Sequence, residues 1–179
     1  MDFELNKTQK DIQKAVREFT RGEFDKDLVL ELERQHEFPE KIWRKACDIG
    51  LVGVHFPEEY SGQGLGCLED ILVVEELCRG DSTMGSAVAL SSFASEIVLH
   101  WGSAEMKQKY LPAVTEGRML SAGAFTEPDH GSDITRMDTT AVRDGDEWVI
   151  NGTKTFITNG GLAGFYSVMC QSDPEARPT

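Results

Sequence analysis

Two polar segments in the second half of the chain contain residue types that suit ligand binding. Residues 126–133 read T-E-P-D-H-G-S-D, and residues 154–160, beyond a predicted hairpin, read K-T-F-I-T-N-G. Together they supply hydroxyl groups, backbone amides next to glycine and one aromatic ring. Such a set suits a flat, polar-edged cofactor with a pyrophosphate, because amides and hydroxyls can hold phosphate while a ring covers the flat part.

The first segment is predicted to form a rim at the end of a strand. Pro128 favours an extended backbone at Glu127, so the hydroxyl of Thr126 is expected where the preceding strand ends. Gly131 lets the backbone approach a ligand closely, and Ser132 adds a hydroxyl beside its own amide. This nest can hold a phosphate without any lysine. An ordinary structural turn is the alternative for this segment taken alone.

The second segment is predicted to contain a strand over residues 155–158. Alternation along a strand places Phe156 and Thr158 on the same face, one step apart. A ring and a hydroxyl in that arrangement can cover a flat heteroaromatic ring and hydrogen-bond its edge. The alternative is a β-branched strand with Phe156 in the protein core.

Helical patterns dominate the chain up to residue 116. Asn6 and Gln9 make a predicted capping box for the first helix. The third helix is expected to begin at Phe38-Pro39 and to end before Gly50. One face of the third helix is expected to hold Ile42, Trp43, Ala46 and Ile49. The six predicted helices span about residues 7–21, 25–35, 38–49, 68–79, 82–101 and 104–116.

The fifth predicted helix, residues 82–101, is unusual because small side chains crowd it. Ala87, Ala89, Ser91 and Ser92 are among them. The helix must therefore lie close against a ligand or another element. A tightly packed core helix and a ligand-facing wall are both open interpretations.

Strand and turn signals replace the helical pattern from Leu120 onward. Turns at residues 143–146 and 150–153 predict an antiparallel meander of strands 139–142, 147–149 and 155–158, with a further strand at 165–170. The predicted fold class is an all-helical orthogonal bundle, residues 1–118, followed by an incomplete antiparallel β-barrel domain, residues 119–179. A finished domain with so few strands would leave sheet edges unpaired, which is unfavourable. The chain is therefore expected to be a fragment.

Composition excludes several function classes. The 179 residues have a formal net charge of −13 without a run of basic residues, which argues against nucleic-acid binding. No membrane span or secretion signal is expected, since no long uncharged apolar stretch occurs. The four histidines show no metal-ligand spacing, and no metal site is predicted. Four scattered cysteines indicate a reducing, cytoplasmic setting.

Taken together, these motifs resemble the acyl-CoA dehydrogenase family of flavoproteins. That family joins a hydrophobic strand to Thr-Glu-Pro, two variable residues and Gly-Ser-Asp, followed later by Lys-x-aromatic-Ile-Thr-Asn-Gly. Further resemblance covers F-P-E-E-Y-S-G-Q-G at residues 56–64, the pair Glu75-Glu76, and residues 102–112. The resemblance extends from Met1 to about Cys170.

The resemblance implies FAD as the cofactor and assigns roles to residues of the first segment. Thr126, with the backbone of Phe125, resembles the group that meets the pyrimidine edge of the flavin. Gly131 and Ser132 resemble the turn beside the cofactor phosphate, and Ser132 is also the implied contact with the acyl-CoA substrate. Fixed donors at the pyrimidine edge favour hydride acceptance, because negative charge accumulates there on reduction.

In the second segment, the resemblance assigns cofactor binding to three consecutive residues. Phe156 resembles the aromatic residue beside the flavin ring, where many relatives have Trp. Ile157 follows it in the same segment. Thr158 resembles the residue that donates to flavin N5. Residues 83–96 resemble the wall of the acyl pocket.

The reaction implied is α,β-dehydrogenation of an acyl-CoA thioester, with hydride passing to flavin N5 and electrons passing onward to an electron-transfer flavoprotein. The family's base is usually a Glu beyond this chain, so no catalytic residue is assigned; Glu96, Glu127 and Asp133 are not expected to replace it. The fragment alone is expected to be inactive, and the full-length protein a homotetramer. Alternatives are an acyl-CoA oxidase, a flavin-dependent hydroxylase of the same fold, or a non-catalytic binding or assembly module.

Overall fold

The computed structural model describes residues 4–173, where seven α-helices precede four β-strands. The helices are α1 (Lys7–Glu23), α2 (Lys26–Gln35), α3 (Glu40–Asp48), α4 (Cys67–Gly80), α5 (Ser82–Ala89), α6 (Ser95–Trp101) and α7 (Ala104–Thr115). The strands are β1 (Ser121–Ala124), β2 (Thr140–Asp144), β3 (Glu147–Asn151) and β4 (Phe165–Val168). A helical region followed by an incomplete β region confirms the predicted fold class.

Local capping explains where several helices begin. The side chain of Asn6 accepts the amide of Gln9, and the Gln9 side chain accepts the amide of Asn6, which confirms the predicted capping box. Asp25 and Asp81 cap α2 and α5 by accepting two amides each. Ser103 caps α7 through the amide of Met106.

The main core lies among the helices. α1 packs against α4, and α4 packs against α5. Val16, Leu77 and Val88, one from each of these helices, are fully buried. A bidentate ion pair also joins α1 to α4. Arg17 Nε and Nη2 each lie 2.6 Å from a carboxylate oxygen of Glu76, whose side chain is 1% exposed. The fully buried carboxylate is therefore neutralised by a planar guanidinium.

Two helix predictions were wrong in detail. The third helix ends at Asp48, and Ile49, expected on one face with the buried Ile42, Trp43 and Ala46, is the C-cap residue and is 58% exposed. The predicted helix over residues 82–101 is interrupted by a 3₁₀ turn at Leu90–Ser92 and by Ala94, whose φ is +65°. A left-handed residue ends a right-handed helix, so α5 and α6 are separate elements.

By length and composition, the segment Ser82–Trp101 is the one candidate membrane span within residues 4–173. Its mean hydropathy reaches 1.2 over 18 residues, and 39% of that window is buried. This is weak evidence for a span, since core helices and signal sequences pass the same test.

The strands form two pairs. β2 and β3 form the predicted antiparallel hairpin, with Val142 opposite Val149 and Gly145 in the turn at φ +63°. β1 and β4 pair in parallel, with Ser121 opposite Phe165. The sequence predicted only antiparallel pairing, because parallel partners are distant in sequence and give no turn signal.

The strand predicted at residues 155–158 is absent from the described part of the chain, which is a correction to the three-stranded meander. Phe156 and Asn159 have φ values of +55° and +62°, which an extended strand cannot contain. Gly152 adopts φ +158°, and a Cβ there would lie 2.2 Å from the hydroxyl oxygen of Thr139. The turn signal at residues 150–153 therefore begins an irregular loop instead of another hairpin.

Candidate functional site

The structure brings the two polar segments together. We call residues 125–139 the rim loop and residues 154–161 the ring loop. The amide of Thr155 donates to the carbonyl of Thr126 at 2.9 Å, and the ammonium of Lys154 donates to the carbonyl of Phe125 at 3.0 Å. Backbone and side-chain bonds thus join the two loops side by side.

A buried ion pair between Glu127 and Lys154 holds this junction. Their side chains are 3% and 10% exposed, and the Lys154 ammonium lies 2.8 Å from the Glu127 carboxylate. The same carboxylate accepts the amides of Asp138 at 2.6 Å and Thr139 at 2.9 Å. Glu127 therefore ties both ends of the rim loop to the ring loop.

These donors hold the pKa of Glu127 far below its ordinary value. The ammonium of Lys154 is the largest cause, followed by the hydrogen bonds from Thr139 and the amide of Asp138. Each donor stabilises the ionised form, so Glu127 stays a carboxylate across the physiological range. It is an acceptor with its oxygens already engaged, which disqualifies it as a general base.

Acidification is expected to remove the contribution of Glu127 to stability. Its pKa is lower in the folded than in the unfolded chain, so the stabilisation is present above the ordinary value of 4.5 and is lost as the pH falls below it. Urea unfolding from pH 7 to pH 3 should show the difference between wild type and Glu127→Gln narrowing, because below the ordinary pKa the unfolded chain takes up a proton at Glu127 that the folded chain does not. A constant difference between the two proteins across this range would contradict the assignment.

The glycine and serine of the rim loop face open space. Gly131 is exposed, and a Cβ there would meet nothing within 4 Å. Ser132 is also exposed, and Thr126 is half-buried beside the ring loop. Asp133 binds the hydroxyl of Thr135 at 2.6 Å, which lowers the pKa of Asp133. The surface over Gly131 and Ser132 is therefore free for a ligand, while Asp133 stiffens the turn.

The ring loop presents Phe156 to the outside. Its side chain is 90% exposed, which contradicts the alternative that Phe156 lies in the core. A left-handed turn and not a strand sets the direction of Phe156, so the predicted strand alternation was wrong. Ile157 and Thr158 are half-buried behind it, and the amide of Gly160 donates to the carbonyl of Ile157 at 2.9 Å.

Sequence reasoning missed the roles of Lys154 and Asn159. Both belong to the quoted motif, but neither had an assigned function. The side-chain amide of Asn159 donates to the carbonyls of Leu90 and Ser121 at 2.7 and 2.8 Å. The available signal was an Asn before two glycines, which tolerates a left-handed backbone and keeps two donors.

Glu127, His130 and Asp138 form a cluster that the sequence spacing did not indicate. Their potential ligand atoms lie within 4.8 Å of one another. His130 Nε2 is 3.5 Å from the carboxylate of Asp138. A cation there would compete with the Lys154 ammonium for Glu127, so charge repulsion opposes metal binding.

The small side chains of the fifth predicted helix have two different environments. Gly85 is buried, and a Cβ on it would lie 2.5 Å from the backbone of Leu77 and Cys78 in α4. Close helix packing thus requires this glycine. Ser86 and Ala89 are half-buried on the remaining surface, and Ser91 is fully buried. The core-packing interpretation is correct for Gly85, whereas Ser86 and Ala89 keep partial access to the outside.

Comparison with known proteins identifies two domains of one family in this chain. A family model described as "Acyl-CoA dehydrogenase, N-terminal domain" matches residues 6–118, and one described as "Acyl-CoA dehydrogenase, middle domain" matches residues 122–179. The chain is 36% identical over 177 residues to acryloyl-CoA reductase (NADH) of Anaerotignum propionicum, which is 98% of this chain and 45% of that protein. It is 37% identical over 174 residues to a short-chain specific acyl-CoA dehydrogenase of Clostridium acetobutylicum, covering 97% and 46%.

Among solved structures, the chain resembles a glutaryl-CoA dehydrogenase from Mycobacterium smegmatis in complex with FADH2. The TM-score is 0.87 at 33% identity, over 94% of this chain and 44% of that one. The chain therefore spans about 45% of the length of the proteins it matches. Since the two family models together match nearly all of the sequence, the chain belongs to the acyl-CoA dehydrogenase family.

Proposed function

We propose that this chain forms the helical region and part of the β region of an FAD-dependent acyl-CoA dehydrogenase. One observation supports this above all: the rim and ring loops are hydrogen-bonded together, and the ring loop presents the 90% exposed side chain of Phe156. An exposed ring is unfavourable in water, and a flat cofactor would cover it. The named relatives supply the chemical class.

The residues present fit FAD. The open surface at Gly131 and the exposed hydroxyl of Ser132 suit the cofactor phosphate and the acyl-CoA. Thr126 and the backbone of Phe125 are the proposed contacts with the pyrimidine edge. The Phe125 carbonyl already accepts a hydrogen bond from the Lys154 ammonium. The backbone amide of Phe125 is therefore the donor proposed for this contact.

The ring loop supplies the other half of the proposed site. Phe156 would pack on the flavin, Ile157 would keep the turn seated, and the Thr158 hydroxyl would donate to the reactive edge. When bound, FAD would supply the acceptor for the hydride that leaves the acyl chain. The contribution of these residues is to orient the ring and to place donors where negative charge develops.

None of the three carboxylates considered as substitutes for the base, Glu96, Glu127 and Asp133, is free beside the two loops to remove the α proton. Glu127 is saturated, and Asp133 is held by Thr135 and lies 3.4 Å from Arg136. Glu96 lies 3.6 Å from His55, away from both loops. We therefore propose that the base belongs to a part of the protein outside this chain, and that the chain alone does not oxidise acyl-CoA.

Replacing Phe156 with alanine is expected to weaken FAD binding roughly two- to tenfold, the value of one aromatic stacking contact. Stability should change little, because the side chain is 90% exposed. Quenching of FAD fluorescence on titration with the protein measures the affinity. Trp101→Ala is the matched control, since Trp101 is 79% exposed on α6 and outside both loops.

Equal affinity for FAD in wild type and Phe156→Ala would remove the ring from the site. An equal loss in Trp101→Ala would show nonspecific adsorption to exposed aromatic rings. Full-length wild type that binds no FAD at micromolar concentration would contradict the proposed function.

The same proposal includes an acyl-CoA substrate and an electron-transfer flavoprotein as the electron acceptor. It further includes a homotetramer for the full-length protein and a cytoplasmic location. All four cysteines are free, which is consistent with a reducing compartment.

A further inference from the structure

The interruption between α5 and α6 has an unusual set of partners. We call residues 90–95 the break segment. Ala94 adopts φ +65°, a conformation that non-glycine residues avoid unless surrounding contacts maintain it. Propensity within the helix does not explain the interruption, because the segment contains neither glycine nor proline. The cause must lie in contacts made by other elements.

Three carbonyl groups of the break segment accept side chains from the β region. Their donors are Asn159 Nδ2 to Leu90 at 2.7 Å, Ser121 Oγ to Phe93 at 3.1 Å, and Ser167 Oγ to Ala94 at 3.2 Å. A continuous helix would keep these carbonyls for its own amides. The β region therefore satisfies backbone groups that the interruption makes available.

Asn159 differs from the two serines because it lies in the ring loop. It follows Thr158 directly, and its side-chain amide binds both Leu90 and Ser121. Its φ of +62° is one that Asn tolerates better than most residues. A single side chain thus connects the end of α5, strand β1 and the loop that presents Phe156.

A ring contact reinforces this junction. Phe93 of the break segment and Phe125 of the rim loop lie with ring centroids 5.8 Å apart. Gly123 makes room for both, since a Cβ there would lie within 2.8 Å of each ring. The break segment therefore contacts the rim loop and the ring loop at once.

We propose that Asn159 is a positioning residue that couples the α5 wall to the ring loop. This inference rests on the proposed function, in which the ring loop faces the flavin, and on the resemblance of residues 83–96 to the wall of the acyl pocket. A ligand that displaces α5 would move the Leu90 carbonyl and, through Asn159, the turn that holds Phe156 and Thr158. The acyl chain would in this way alter the surroundings of the flavin without touching the ring loop.

Asn159→Gly is the test variant, because glycine keeps the left-handed backbone and removes both side-chain hydrogen bonds. Ser167→Ala is the matched control. It removes one bond to the break segment, at Ala94, but Ser167 belongs to β4 and not to the ring loop. The two variants separate loosening of the break from loss of the link to the ring loop.

Amide hydrogen exchange gives a readout that needs no flavin. In Asn159→Gly, the amides of Phe93 and Gly160 are expected to exchange about tenfold faster or more, while amides of α1 stay unchanged. These two amides donate to Leu90 and Ile157 in the wild type. In Ser167→Ala, the amide of Ile97 should accelerate and that of Gly160 should not. Unchanged exchange at Phe93 and Gly160 in Asn159→Gly would overturn the inference.

A second readout tests the coupling itself. In wild type loaded with FAD, butyryl-CoA is expected to shift the visible flavin spectrum without bleaching it. The shift should fall at least twofold in Asn159→Gly at saturating butyryl-CoA and persist in Ser167→Ala. Equal losses in both variants would indicate a general structural effect and overturn the assignment, as would an absent shift in wild type.

The two failures are distinguishable. If the full-length wild type binds no FAD, the proposed function fails, and the exchange experiment still decides whether Asn159 links the break segment to the ring loop. If FAD binds and the exchange rates do not change, the proposed function stands and the coupling is wrong.

Discussion

Lys154→Met is expected to lower the free energy of unfolding by about 3 kcal/mol and to weaken FAD binding. Removing one partner of a buried ion pair leaves the other charge uncompensated, and that loss exceeds the value of the pair itself. Lys154 also donates to the carbonyl of Phe125, so the variant loses a second contact between the loops. Urea unfolding followed by circular dichroism measures the first effect, and FAD titration measures the second.

The matched control for this variant is Lys14→Met. Lys14 is 76% exposed, and its ammonium lies 3.9 Å from the carboxylate of Glu18. An exposed ion pair of this kind contributes at most about 1 kcal/mol, so Lys14→Met should remain near wild type in both measurements. If the two lysine variants unfold at the same urea concentration, Lys154 does not hold the two loops together.

Gly85→Ala is expected to destabilise the chain by about 1–3 kcal/mol, the usual cost of overpacking a core. The added methyl group would lie 2.5 Å from the backbone of Leu77 and Cys78. Backbone atoms cannot move aside as a side chain can, so α5 must shift away from α4. We expect a lower melting temperature and, in the protein with FAD, a changed response to acyl-CoA.

Gly22→Ala is the matched control for Gly85→Ala, and we expect it not to destabilise the chain. Gly22 lies in α1, and a Cβ there meets nothing within 4 Å. Alanine in a helix is favoured over glycine by up to about 1 kcal/mol, so this variant should be as stable as wild type or more so. A Gly85→Ala protein as stable as Gly22→Ala would show that α5 does not depend on close contact with α4.

Much of the helical region could be predicted from local chemistry. The capping box of Asn6 and Gln9 and the Ser103 cap are made by residues within three positions of one another, so their patterns are readable in the sequence. The Asp-Gly turn between β2 and β3 is equally local, with Gly145 at φ +63°.

Long-range contacts explain the errors. The sequence predicted a continuous helix through Ala94 because residues 82–101 contain no local breaker after Gly85. The interruption depends on side chains that are distant in sequence. Ser121, Asn159 and Ser167 lie 28, 69 and 73 residues from their respective partners Phe93, Leu90 and Ala94. The ring loop contains β-branched residues, which are typical of a strand and led to the wrong prediction. Its turn is instead fixed by Asn159, whose side chain donates to the distant carbonyls of Leu90 and Ser121.

The sequence by itself determined the family, the order of a helical and a β region, and the two segments that meet at the candidate site. Those features depend on residue types at short spacing, which local propensity and turn chemistry set. Only the tertiary structure showed that Glu127 and Lys154 bind the segments together and that a left-handed turn exposes Phe156. Such features depend on buried charge and backbone hydrogen bonds between distant residues, which spacing along a chain does not reveal.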